Sequence, residues 1–293
     1  MGLLSLKIDS LVSKYGGGLS DSLYLRLRFF LRMGFKLNLK TPKTYSEKLQ
    51  WLKLYDRNPL YTSLVDKYEV KKYVKNLIGE QYLAKTYGIW DSEEDIDFNA
   101  LPNRFVLKTT HGGGNEGVIV IRDKKSMDEM NVREKLKRAL KQDLYFHSRE
   151  WPYKGIKKRI IAEEFLEDEE TRELRDYKFF CFNGEVKALF VATERQTRKE
   201  PFFNFFDENY NPLDIKQGHP RAEIPPARPS RFDEMVKVAT ELSQGFPHVR
   251  VDLYQANDKV YFGEFTFYHF GGIVPFEPAK WDDIFGEWLN LPK

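Results

Sequence analysis

Residues 249–272, VRVDLYQANDKVYFGEFTFYHFGG, hold two acidic side chains whose spacing could do chemistry. Asp252 and Glu264 stand in two stretches of near-strict apolar alternation, 249–254 and 260–267. Gln255-Ala256-Asn257-Asp258-Lys259 between them contains a hairpin turn. A three-residue turn centred on Asp258 sets Asp252 opposite Glu264 and Arg250 opposite Thr266, with all four on one face. A two-residue turn moves the two carboxylates to opposite faces. Directly opposed carboxylates repel, and a hard divalent cation between them would reverse that cost. With Arg250 alongside to meet phosphate, the pattern predicts a magnesium site. The alternative is a hairpin with one wet, charged face.

A phosphate needs its own cradle, and residues 105–121, FVLKTTHGGGNEGVIVI, supply a candidate. The segment reads as strand, glycine turn, strand. It lacks the Gly-Lys-Ser/Thr ending and following helix of a Walker A loop. Gly112, Gly113 and Gly114 allow close backbone approach, and successive N–H groups in such a turn form an anion nest. Lys108 enters the turn from the strand and brings its ammonium to the same anion. Lys178 is a second cation, on the strand 176–182, where it shares a face with Phe180 and Phe182; a lysine snorkelling at a sheet edge is the other reading. Residues 160–166, IIAEEFL, form an apolar strand with Glu163 and Glu164 near its end. Its backbone can serve an adenine ring that Phe165 and Leu166 wall, or it is simply a buried strand.

Helices and turns must position these groups. Residues 1–60 read as helical and basic, ending in a helix over 46–55 with Leu49, Trp51 and Leu52 on its apolar stripe. Asp66-Lys67 opens a helix over 68–78, closed by Gly79. Residues 91–103 form an acidic loop, 104–110 and 117–122 strands, and 128–148 a helix. A strand at 159–166 precedes a hairpin of 176–182 and 185–193 on Asn183-Gly184. Residues 209–231, with five prolines, make an extended excursion. A helix over 232–244 leads into the opening hairpin. Strands and helices come in blocks, so the fold class is α+β.

Composition narrows the role. The chain has 293 residues, 47 basic and 44 acidic, a net of +3, which argues against a dedicated nucleic-acid binder. Cys181 is the single cysteine, so an intrachain disulfide and a cysteine zinc site are excluded; its place in a strand predicts a core residue. His111, His219 and His269 are too dispersed for a three-histidine zinc site. No apolar run reaches a membrane span and no signal-peptide core stands at the N-terminus, so a cytoplasmic protein is expected. Residues 23–40 mix Arg26, Arg28, Arg32, Lys36 and Lys40 with leucine and phenylalanine. They predict either a basic-edged helix packed on the main domain or peripheral contact with an anionic membrane, at its inner face.

In order, these elements are a strand lysine with a glycine loop, an acidic hinge, a strand lysine, and an Asp…Glu pair. That order resembles the ATP-grasp superfamily. More narrowly, the chain resembles the ATP-grasp proteins of the teichuronopeptide-biosynthesis type, found with capsular and cell-wall polysaccharide genes. The resemblance rests on Asp66-Lys67-Tyr68, Leu107-Lys-Thr-Thr-His-Gly112, Arg149-Glu-Trp-Pro-Tyr153, Ile161-Ala-Glu-Glu-Phe-Leu166, Asp176-Tyr-Lys-Phe-Phe180, Val249-Arg-Val-Asp252 and Gly263-Glu-Phe-Thr-Phe267. It implies two α+β subdomains gripping ATP between antiparallel sheets. A helical extension would cover residues 1–60 and an ATP-grasp domain 61–293, with its glycine-loop lid over about 104–160 and its metal-binding part over about 161–293. Lys108 and Lys178 would contact phosphates under a loop from His111 to Gly114. Glu163, Glu164, Phe165 and Leu166 would hold adenine, and Asp176 the ribose. Asp252 and Glu264 would ligate Mg2+, and Arg250 would steady the transferred phosphate. Thr266 stands where many members carry asparagine, which leaves the number of metal ions open.

The implied reaction is ATP-dependent ligation of a carboxylate to an amine through an acyl phosphate, with Lys178 and Arg250 as catalytic cations. The implied acceptor is a uronic-acid carboxylate of a capsular or cell-wall polysaccharide or its precursor, joined to an amino acid or other amine. The aromatic run Pro201-Phe-Phe-Asn-Phe-Phe206 would frame the acceptor groove or serve as a core strand. The rival readings are a glycosyltransferase, for which Asp282-Asp283 is the nearest metal motif, an ATP-grasp kinase, and a non-catalytic nucleotide-binding scaffold.

Overall fold

Two turns fix the hairpins of the larger sheet. Asn183 and Gly184 have φ of 51° and 82°, and Asn257 and Asp258 have φ of 48° and 59°. Paired left-handed residues match the twist of antiparallel strands. The computed structural model describes residues 3–113, 117–168, 173–195 and 198–292. In it, β5 (Asp176–Phe182), β6 (Glu185–Thr193), β7 (Phe202–Asp207), β8 (His248–Ala256) and β9 (Lys259–Thr266) form a sheet in the order β7-β6-β5-β8-β9. Each neighbouring pair is antiparallel.

One face of this sheet carries Tyr177, Phe179, Cys181, Val249, Val251 and Leu253 onto α8 (Phe232–Leu242), whose Phe232, Met235, Val238, Ala239 and Leu242 are buried. Cys181 lies in that core, its thiol pushed up to about 12 by burial. The opposite face bears the charged residues. α4 (Leu60–Val65) and α5 (Glu69–Ile78) pack their apolar sides into the same core, whereas Tyr45 of α3 (Tyr45–Tyr55) and Phe285 of α9 (Lys280–Trp288) meet Phe180 and Phe182 on the opposite face. Buried His248 ties α3 to β5: its Nδ1 donates to the Cys181 carbonyl at 2.9 Å, and its Nε2 accepts from the Tyr45 hydroxyl at 2.9 Å.

A second, four-stranded antiparallel sheet has the order β1-β4-β2-β3. Its strands are β1 (Thr86–Trp90), β2 (Phe105–Thr109), β3 (Val118–Ile121) and β4 (Ile160–Glu164). It packs Phe105, Leu107, Ile160 and Ala162 against Val132 and Leu136 of α6 (Glu129–Leu140). Two sequence expectations change here. β1 was not foreseen, because Gly88 breaks its alternation and forces a register shift between Thr86 and Gly88. The helix foreseen over 128–148 is two, since Asp143 accepts from Phe146 N at 3.0 Å and starts α7 (Leu144–Ser148) as a new N-cap.

The first two helices, α1 (Leu3–Tyr15) and α2 (Asp21–Met33), form an antiparallel pair on the main body. Buried Arg149, in the left-handed region at φ 55°, donates to the Gly16 carbonyl at 3.0 Å and lies 4.3 Å from the Tyr24 ring centre, anchoring that pair. Among the described residues no helix is long and apolar enough to cross a membrane.

Candidate active site

Cross-strand register lines up the charged residues. Lys178 of β5 pairs with Asp252 of β8, and Asp252 with Glu264 of β9. Two residues along, Phe180, Arg250 and Thr266 form the next row, and on the other side Asp176 pairs with Tyr254. Residues two apart on a strand share a face, so these rows make one polar platform.

The platform arises differently from the expected three-residue turn. The turn has two residues, which alone would have sent Glu264 to the other face. A bulge between Asp252 and Leu253 inserts Gly263 and restores the pairing of Asp252 with Glu264. A Cβ at Gly263 would lie 2.8 Å from Tyr254 Cε2 and 3.0 Å from the Asp252 carbonyl oxygen, so only glycine fits.

Above the platform the two sheets enclose a cavity of about 750 Å³. Lys108 and Gly113 reach it from the smaller sheet, and Asp176, Lys178, Arg250, Glu264 and Thr266 from the larger. Glu163, Glu164, Phe165 and Leu166 line it too, at the exit of β4. Asp252 is fully buried beneath this wall. His111 does not line the cavity; it packs beside Ala139 and Gln142 at the end of α6, and burial pushes it down to about 4. Gly114 lies outside the described residues.

Opposed carboxylates here are balanced by the protein's own cations. Arg250 grips Asp252 through Nε to Oδ1 at 2.7 Å and Nη2 to Oδ2 at 2.8 Å, and Lys178 contacts Asp252 as well. Lys178 Nζ is 2.6 Å from Asp176, which Arg195 also holds at 2.7 Å. Lys67 Nζ donates to Glu264 at 3.2 Å and to the Gly112 carbonyl at 2.6 Å, joining the glycine loop to β9. Burial raises the Glu264 carboxyl, but Lys67, Lys178 and Arg250 outweigh it and hold it at about 2.

Arg250 is aimed by further partners. Its Nη2 donates to Thr266 Oγ1 at 2.9 Å, and its Nη1 to His269 Nδ1 at 2.5 Å. His269 is buried, with Nε2 on Gln217 Oε1 at 3.0 Å, and burial followed by the Arg250 charge keeps it neutral. Thr266 and His269 therefore both orient the guanidinium. On the smaller sheet, Lys108 lies 2.7 Å from Glu163, which Lys71 also contacts. Burial opposes the charge on Glu163, yet the two lysines bring it to about 2.

Lys67, Lys71, Glu150 and Arg195 also face the cavity, and sequence reasoning gave them no role. Lys67 sits 45 residues before the loop carbonyl it binds, and no local pattern announces such a contact. Glu150 stands in front of buried Lys53, whose ammonium donates to the carbonyls of Ser148 at 3.0 Å and Gly271 at 2.8 Å.

Among the described residues no group of three or more His, Cys, Asp or Glu side chains is placed to hold an ion alone. Magnesium, however, is commonly bound by one or two carboxylates together with substrate phosphates and water. Glu264 faces the cavity and fits that shared mode; it would hold the ion, and Asp252 would join it by exchanging its Arg250 and Lys178 contacts for the metal.

Two antiparallel sheets closing on one cation-lined cleft define an ATP-grasp architecture. The model of one family, TupA-like ATPgrasp, matches residues 47–290, and the chain belongs to that family. Among solved structures it is similar to a D-alanine–D-alanine ligase from Helicobacter pylori, at 17% identity over 84% of this chain and 69% of that one, with a TM-score of 0.45. It is also similar to an L-amino acid ligase from Bacillus licheniformis, at 14% identity over 87% and 57%, with a TM-score of 0.46. A D-alanine–D-alanine ligase from Bacillus anthracis shares 18% identity over 70% of this chain and 57% of its own length, with a TM-score of 0.42. The chain thus spans little more than half of the Bacillus ligases. None of the curated proteins matches the sequence.

Proposed function

We propose that this protein is an ATP-dependent carboxylate–amine ligase with magnesium as its metal. The observation that carries the reading is that Lys108 and Lys178, from two different sheets, line one cavity with Arg250. Phosphoryl transfer asks a protein chiefly for positioning and charge neutralisation, and three convergent cations supply both. When bound, Mg2+ would neutralise phosphate charge from Asp252 and Glu264. At the β9 edge Val106, Phe165, Leu166 and Phe262 give an apolar wall suited to adenine. The acceptor carboxylate would attack the γ-phosphorus with ADP leaving, and the amine would then displace phosphate from the acyl carbon, giving up its proton.

The acceptor in this reading is a uronic-acid carboxylate on a capsular or cell-wall glycan or its precursor, and the amine an amino acid. Support comes from the family and from the β7 side of the cavity, where Phe203, His219 and Phe270 cluster and Lys199 also lines the wall. Aromatic faces suit sugar C–H groups and a lysine suits a carboxylate. The decisive assay measures ADP release with Mg-ATP, glucuronate-type acceptors and amino acids singly and together, with hydroxylamine to trap the acyl phosphate as a hydroxamate. ADP release dependent on acceptor and a trapped hydroxamate support the reading. Hydrolysis indifferent to every acceptor sinks it, and a stable phosphorylated product favours the kinase alternative. The glycosyltransferase alternative fares less well, because buried Asp282 accepts from Ser46 N at 2.8 Å and does not line the cavity.

A further inference from the structure

α1 is oriented against the usual rule for a helix on a protein surface, which turns its apolar stripe inward. Its polar residues face α2: the Ser5 hydroxyl donates to the Leu31 carbonyl at 2.5 Å, and buried Asp9 takes Arg28 Nε at 2.6 Å and Nη2 at 3.0 Å. Ser13 meets His147 at 3.5 Å. Val12 packs against the cluster of Tyr24, Leu25 and Phe29, but the other described apolar residues of α1 face out. Leu4, Ile8, Leu11 and Tyr15, spaced four, three and four residues apart and so within one narrow arc, are 72%, 38%, 57% and 68% exposed. Exposed Lys7 and Lys14 fall beside that arc. The Asp9–Arg28 pair prevents the helix from rotating the stripe inward, since rotation would break a buried ion pair.

Charge identifies the occupant. Residues 1–43 carry eight Lys/Arg and two Asp/Glu, a net of +6 against +3 for the whole chain, so the other residues sum to −3. The stretch 23–40, for which sequence pattern offered either packing or membrane contact, buries Tyr24, Leu25, Phe29, Leu31, Leu37 and Leu39 and leaves only Leu23, Phe30 and Phe35 as exposed large apolar side chains. Among the described residues of this N-terminal part, the most exposed apolar stripe is the one on α1.

We propose that the outer face of α1 docks on an anionic phospholipid surface. Leu4, Ile8, Leu11 and Tyr15 enter the headgroup boundary, and Lys7 and Lys14 pair with lipid phosphates, the arrangement of an interfacial amphipathic helix. This does not depend on the ligase reading. The test is flotation of the full chain with phosphatidylcholine vesicles, with and without about one third phosphatidylglycerol. Binding is expected to the anionic vesicles and to fall in ~0.5 M NaCl. Leu4→Ser/Leu11→Ser and Lys7→Glu/Lys14→Glu should each weaken it about tenfold or more, with thermal unfolding and Mg-ATP binding unchanged. A Tyr15→Trp variant should shift its emission to the blue on anionic vesicles alone. Flotation no better than with phosphatidylcholine, or variants that float like the parent, would overturn the proposal. So would light scattering that shows a dimer broken by the Leu4/Leu11 change, which would make the face a contact between copies.

Discussion

Arg250 and Asp252, two residues apart on β8, are joined by a two-point contact, Nε to Oδ1 at 2.7 Å and Nη2 to Oδ2 at 2.8 Å. Both are buried. The contact gives the guanidinium one orientation, which Thr266 and His269 complete. A fork held on three sides is a positioned charge rather than a mobile one.

Replacing Arg250 with lysine keeps the charge and loses the fork. Turnover is expected to fall about 10²–10³-fold, with Mg-ATP affinity changed far less. Steady-state kinetics beside equilibrium nucleotide binding separates the two effects. Asp252→Asn leaves Arg250 and Lys178 short of a buried partner and should cost about 3 kcal/mol of stability in urea unfolding.

Lys67 joins the Gly112 carbonyl to Glu264. Lys67→Ala releases the glycine loop and removes one cation beside Glu264. The KM for ATP is expected to rise about tenfold, with a smaller change in kcat. An unchanged KM would show that the loop is held by its own backbone.

Gly263 is the inserted residue that sets Glu264 opposite Asp252. In Gly263→Ala the new methyl meets Tyr254 Cε2 at 2.8 Å. Destabilisation of about 1–3 kcal/mol is expected, with loss of turnover larger than the melting shift alone explains. Tyr254→Leu in the same chain should recover part of the stability.

Acid should unfold the protein in two stages. Burial holds His248 down to about 3 from its ordinary 6.5. The unfolded chain therefore takes up a proton that the folded one refuses as pH falls below 6.5, and stability drops. At pH 5.5 that loss is about 1–1.5 kcal/mol. Glu163, held at about 2 by Lys108 and Lys71 against burial, adds stability above its ordinary 4.5 that is lost as pH falls toward 2. Urea unfolding from pH 7 to 3 should show both, and His248→Gln should shrink the upper step, which His111 and His269 share, and leave the lower one.

Pattern alone went far where the physics is local. Alternation over 249–254 and 260–267, the Asn183-Gly184 turn and the glycine run after Lys108 are short-range signals, and they located the strands that carry the candidate site. What they left undetermined was the register of β8 and β9. Turn length and bulge offset one another there, and only the packing of Gly263 against Tyr254 decides between them. Tertiary structure also decided the partners. Lys67 reaches Glu264 across 197 residues and Lys178 reaches Asp252 across 74, so the repulsion visible in the sequence is neutralised by cations that no spacing rule can foresee. The same holds for α1, whose apolar stripe is held outward by Asp9 finding Arg28. Sequence determined which charged groups this protein has; the fold alone decided which charges meet, because a charge is neutralised by its neighbour in space.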